Sequence, residues 1–260
     1  MPTSTTEITY DESDHIGVIT LNRPDARNAL TFTTYAELED AVRSTTARCL
    51  VITGADPAFC SGDDVKQIMQ GAGERVASGL ASTPRITPAA EALLSTDVPV
   101  IAAVNGAAVG WGMELAVMAD LRVASDRAKF GELFVKRGLS CDVAGIGRLA
   151  QLVGREQAAE LLFTGRIIDA TEARAIGLVG RVVAHEELLA TATALAREIA
   201  SNPPLAIRNM KQGLRIALDP DWSALGSWVS ESLGELFQTH DHKEGVAAFL
   251  EKREPRFEGR

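Results

Sequence analysis

Cross-linking and metal binding find little purchase in this chain. Three cysteines, Cys49, Cys60 and Cys141, in 260 residues are too few and too unpatterned for a disulfide framework or a zinc site, and they read as small buried hydrophobes. Histidine is equally sparse. His240 and His242 share the polar run Thr239 to Gly245, which reads as a solvated turn rather than a ligand pair. Cations are outnumbered, 26 against 35 acids, and the net charge of −9 argues against nucleic-acid or anionic-membrane partners. No apolar run reaches the roughly 20 residues that span a bilayer. The segment Met1 to Asp14 lacks the basic start and apolar centre of a secretory signal, so a cytoplasmic location is expected. What is present is core: 46% hydrophobic and 23% charged residues, enough for one sizeable domain with a C-terminal appendage.

The stretch that organises the rest is Pro99 to Ala124. Val98 to Val104 is a compact run whose β-branched residues suit a buried strand. Asn105 and Gly106 break it, Gly110 and Gly112 bracket a second turn, and Trp111 to Ala119 takes up helical spacing. The first amides of that helix, near Trp111, are placed to hold developing negative charge. Glu114 sits in its first turn. Burial there raises a carboxyl's proton affinity toward working pH, as proton transfer requires. Alone, a glycine-bounded strand-to-helix turn serves structure as readily as chemistry.

A second such piece stands earlier in the chain. Residues 7 to 22 read as a hairpin, Asn28 to Thr46 as a helix, and Cys49 to Thr53 as a buried strand. Ala58 to Lys66, with Ser61-Gly62-Asp63-Asp64 at its centre, then reads as a turn leading into a helical start. Two such ends can aim two N–H groups at one oxygen, the arrangement that stabilises an oxyanion in acyl chemistry. Met69 to Ala90, rich in Gly, Ala, Ser and Thr, reads as a flexible flap. In Phe130 to Leu152, Asp142 is the acid set among small and apolar residues, equally readable as a helix N-cap; Glu132 is a further candidate. Beyond Arg155 the chain reads as helical, with a short strand near Val183. The tail, Asp221 to Glu251, reads as amphipathic helix whose apolar face packs on another subunit or folds back on its own domain.

Together these segments resemble the crotonase family, the enoyl-CoA hydratase/isomerase superfamily. The matching residues are Leu21-Asn22-Arg23-Pro24 with Asn28-Ala29-Leu30, Ala58 to Lys66, Ala103 to Gly106 with Gly110 to Asp120, Gly138 to Leu149, Thr164-Gly165-Arg166, Ala173 to Val179 and Glu244 to Arg253. The resemblance implies an α/β fold, a crotonase-like spiral of repeated ββα units forming two roughly perpendicular sheets wrapped by helices. Residues 1–200 would form the catalytic core and 201–260 a helical oligomerisation region, giving a homotrimer or a hexamer. It implies an acyl-CoA substrate, with coenzyme A entering as part of that substrate and no separate cofactor. The oxyanion amides would be those of Asp63 and Trp111. The coenzyme A side would involve Ala26, Arg27, Lys66 and Lys252, the last in its own or a neighbouring subunit; each lysine also reads as a solvated surface charge.

Departures from the family pattern narrow the chemistry. Hydratases of this kind carry a glutamate where Glu114 stands and a second where this chain has Phe134, and phenylalanine neither activates water nor protonates carbon. Members that move double bonds carry an aspartate where Asp142 stands. The resemblance therefore implies double-bond isomerisation, with Asp142 as proton shuttle and Glu114 as its partner; hydration by Glu114 and Asp142, and a non-catalytic acyl-CoA-binding protein, are the alternatives. Trp111 and Asp63 stand where glycine and alanine are more usual, which narrows the acyl pocket and requires the Asp63 carboxylate to point away from the enolate. Thioester hydrolysis has no nucleophile here, because Ser61 and Ser140 lack the Gly-x-Ser-x-Gly elbow.

Overall fold

A computed structural model describes residues 6–70 and 86–260. Most of the flap read at Met69 to Ala90 lies outside these described residues. In chain order the strands are β1 (Ile8–Ser13), β2 (Ile16–Leu21), β3 (Cys49–Gly54), β4 (Ala58–Cys60), β5 (Val100–Val104), β6 (Ala107–Val109), β7 (Leu121–Ser125), β8 (Lys129–Gly131), β9 (Ile168–Asp169) and β10 (Arg181–Val183). They make two sheets, β1-β2-β3-β5-β7-β10 and β4-β6-β8-β9. The end strands β1 and β9 run antiparallel to their neighbours and the other pairings are parallel.

The pairs β3/β4, β5/β6 and β7/β8 repeat one motif. Each sends its first strand to the larger sheet and, after a short break, its second to the smaller. Every residue of β3 and β5 is buried, which is why both read as continuous apolar runs rather than alternating ones. The helix Leu188–Ala200 lays Ala192, Ala196 and Ala200 against Val51, Ile101 and Val123. The opposite face, with Leu50, Ile52 and Ala102, joins the main core.

Three expectations are corrected. Ala58–Cys60 is a strand, not a turn, and Ala107–Val109, unassigned in the sequence between Gly106 and Gly110, is a strand as well. Each has three residues, too few to show a period, and pairing with each other and with β8 decides their conformation. Gly112 accordingly belongs to the helix Trp111–Met118 rather than bracketing a turn. The histidine run is no solvated turn: Thr239 caps the helix His240–Glu251, and His242 is buried, its Nδ1–H donating to Arg137 O at 2.8 Å. The tail breaks at Phe237 into two helices, Trp222–Leu236 and His240–Glu251. It folds back on its own domain, with Trp222, Leu225, Leu233, Leu236 and Phe237 packed on the core.

Candidate active site

The loop that carries Asp63 is clamped from the N-terminal side. Asn28, in the left-handed region at φ 57°, donates to Ala55 O at 2.8 Å and Ala58 O at 2.7 Å and accepts from Arg23 N at 2.9 Å. Arg23 reaches across to Asp64 at 3.2 Å. Leu30 N–H donates to Gly62 O at 2.9 Å while Leu30 O accepts from Asp64 N at 2.8 Å. This one-residue parallel bridge uses the groups on either side of Asp63 and leaves its own N–H facing away from Leu30. The Asn-Arg-Pro and Asn-Ala-Leu segments are thus a scaffold for this loop.

The second loop meets the first. Gly110 N–H donates to Gly131 O at 2.9 Å and caps the helix Trp111–Met118, so Trp111 N is its first amide and has no intrahelical acceptor. Gly62 takes φ 85°, and a Cβ there would stand 3.3 Å from Trp111 N. The two turns therefore touch within one residue of both predicted amides. Gly112 seats the helix directly on the Cys60 carbonyl, which a Cβ would strike.

Asp63 and Trp111 line two adjoining cavities. One, about 380 Å³, adds Tyr35, Ile68, Asp142, Leu233 and Phe237; the other, about 640 Å³, adds Ala26, Arg27, Lys66, Arg137 and Phe249. Phe134 and Leu139 belong to both. The predicted amides and Asp142 are brought together, and Ala26, Arg27 and Lys66 gather on the other side. Lys252 is not with them: it is exposed and caps the last helix at φ 55°.

Four carboxyls crowd this region. Asp142 is the N-cap its setting suggested, accepting from Val143 N at 2.7 Å, and its other oxygen accepts from the Trp111 indole at 2.9 Å. Burial raises its pKa, and those two hydrogen bonds oppose the rise. Glu114 is fully buried and accepts from Gly145 N at 2.8 Å. Desolvation, then the fields of Glu132 and Asp142, lift it well above the ordinary range. Glu114 lies a layer below Asp142, outside the lining of either cavity. The Asp63 carboxyl is drawn aside by the Tyr35 hydroxyl, which donates to it at 2.6 Å; burial pushes it up to about 6. Tyr35 also stands edge-on to Trp111, ring centres 4.7 Å apart.

The whole length of the chain tells the same story. Residues 11–260 match the family model described as enoyl-CoA hydratase/isomerase. The chain belongs to the enoyl-CoA hydratase/isomerase family. It is 35% identical over 251 residues to the short-chain-enoyl-CoA hydratase of Clostridium acetobutylicum, covering 95% of each chain. It is 37% identical to the crotonyl-CoA hydratase of Syntrophomonas wolfei, covering 96% of this chain and 97% of that one. The crystal structure of an enoyl-CoA hydratase/isomerase from Pseudoalteromonas atlantica superimposes with a TM-score of 0.86 at 28% identity, over 97% of this chain and 100% of that one. This is the crotonase fold expected from the motifs.

Sequence reasoning missed several parts of this enoyl-CoA hydratase/isomerase site. Tyr35 sits on an amphipathic helix where it reads as core. Leu233 and Phe237 reach the cavity only because the tail folds back. Arg137 stands beside Lys136 with no motif to mark it, and its guanidinium stacks 4.3 Å from the Phe249 ring centre.

Proposed function

We propose that this chain isomerises an enoyl-CoA thioester, moving a double bond along the acyl chain through an enolate. The thioester oxygen rests between the Asp63 and Trp111 amides, the acyl chain runs into the cavity holding Asp142, and the coenzyme A portion leaves through the cavity lined by Arg27 and Lys66. Asp142 takes a proton from the γ- or ε-carbon; the electron pair moves toward the thioester oxygen, where the amides hold it. The proton returns to a different carbon of the conjugated system, and the new double bond is left behind. Glu114 is the neutral partner beneath. No cofactor takes part, coenzyme A being part of the substrate.

One observation carries the preference for isomerisation: Phe134 lines both cavities beside Asp142, at the position from which the resemblance expects a second hydratase glutamate. Hydration is the second reading, favoured by the hydratase names of the curated relatives; it would need Glu114 and Asp142 to grip one water. A homotrimer or hexamer is proposed from Met210, Leu214 and Leu218, which are exposed four residues apart along the helix Pro204–Leu218.

The test is incubation with crotonyl-CoA and with 3-enoyl- and dienoyl-CoA esters in deuterated water. Deuterium entering the α- or γ-carbon with a shifted double bond is the expected result. A 3-hydroxyacyl product means hydratase, and tight binding without exchange means a non-catalytic binder.

A further inference from the structure

Glu132 is the buried acid that the mechanism above leaves unused. It follows β8, is 1% exposed, and neither of its carboxyl oxygens has a hydrogen-bond partner among the described residues. Three more polar atoms nearby in sequence or field share that condition, Glu114 Oε1, Arg137 Nε and Ser140 Oγ. An ionised carboxylate held away from water with no donor costs several kcal/mol, so such a group keeps its proton. The titratable groups that act electrostatically with Glu132 are Glu114, from the helix Trp111–Met118, and Cys141 and Asp142, from the loop before Val143. All are acids. Asp142 alone among the three carboxyls has an N–H donor on each oxygen, whereas the backbone donors of Glu114 leave its Oε1 without a partner.

The cluster therefore sorts its charge. One negative charge is supported at Asp142 by the Val143 amide and the Trp111 indole, and protons remain on the two glutamates. We propose that Glu132 is a proton-holding positioning residue, forming with Glu114 a neutral carboxylic-acid pair that confines the single charge of this buried cluster to Asp142. It lines neither of the two cavities described above and acts through Asp142. Ionising Glu132 would place a second negative charge in the buried cluster and act against the ionised Asp142. The role in turnover rests on the isomerase reading; the protonation pattern does not.

The test is therefore spectroscopic first. Infrared spectra of the whole protein, with glutamate labelled by ¹³C at the side-chain carboxyl, are recorded at neutral pH. Protonated-carboxyl bands from two glutamates are expected, one of them lost in Glu132→Gln and the remaining one displaced as its partner changes. The same labelled band pattern in Glu132→Gln, or a wild-type protein with no labelled protonated-carboxyl band, overturns the proposal. The wild-type measurement decides the matter even if the variant does not fold. In turnover, the alkaline fall of the wild-type rate is expected to move by more than one pH unit in Glu132→Gln, and an unmoved alkaline limb contradicts the positioning role. Failure of the deuterium exchange with intact labelled bands would count against the isomerase reading alone.

Discussion

The two cavities that meet at Asp63 and Trp111 are both largely apolar and differ in the charges set among their walls. On one side Tyr35, Phe134, Leu233 and Phe237 form an apolar wall around one reactive carboxyl, Asp142. On the other, three cations, Arg27, Lys66 and Arg137, are set among apolar side chains that include Leu133, Ile167, Phe249 and Leu250. A carboxyl in the first chamber has its proton affinity raised by burial, whereas cations in the second attract a negatively charged ligand. Chemistry and anchoring are thus separated in space and joined only at two amides. The separation predicts that damage on each side has a different kinetic signature.

The largest effect is expected on the apolar side. Asp142→Asn keeps the shape and the indole contact but abolishes proton abstraction, and its kcat should fall more than about 100-fold; a steady-state assay with the best isomerisation substrate measures this. Unchanged turnover would remove Asp142 from the mechanism. Next comes the seam. Gly112→Ala drives a methyl into the Cys60 backbone and should lower stability by about 1–3 kcal/mol, read by denaturant unfolding, with Gly213→Ala as control because nothing lies within 4 Å of that position. Equal stability of the two variants would show that the seam is loosely packed.

On the cationic side, Lys66→Ala should raise KM several-fold more than it lowers kcat, since an exposed charge contributes about 1 kcal/mol or less. An equal fall in kcat would erase the division between chambers. The smallest effect is in pH dependence. Asp63 is raised by burial to about 6, so the native state holds its proton more tightly than the unfolded chain. Its contribution to stability is complete below the ordinary carboxylate range, about 4, and is lost as pH climbs through about 6. Asp63→Asn should remove that part of the decline, seen as a shallower change of Tm between pH 4 and 7 by calorimetry; an identical slope contradicts the burial of this carboxyl.

Much of this was legible in the residues, and the exceptions have physical causes. Buried strands such as Cys49–Gly54 and Val100–Val104 announce themselves because both faces are covered and every position is apolar. The three-residue strands β4 and β6 do not, since only pairing with distant segments stabilises them. Asp142 was visible as an acid among small residues, and its capping and its place in the cavity proved compatible rather than competing. Glu132 stood out only as a weaker candidate than Asp142, because the lack of any partner for its carboxyl comes from the elements packed around it. His242 likewise is buried by a carbonyl and by Phe237, ring centres 4.8 Å apart, neither of which its polar run could reveal.

The account stands on two main-chain N–H groups gripping a single thioester oxygen, and the vibrational frequency of that carbonyl reports it directly. With an acyl-CoA labelled by ¹³C at the thioester carbon, isotope-edited infrared spectroscopy of the complex should show the C=O stretch displaced to lower frequency than in free solution, as two donors polarise the bond. A bound substrate whose carbonyl stretch stays at its solution value would contradict the convergence of Asp63 and Trp111 on one oxygen.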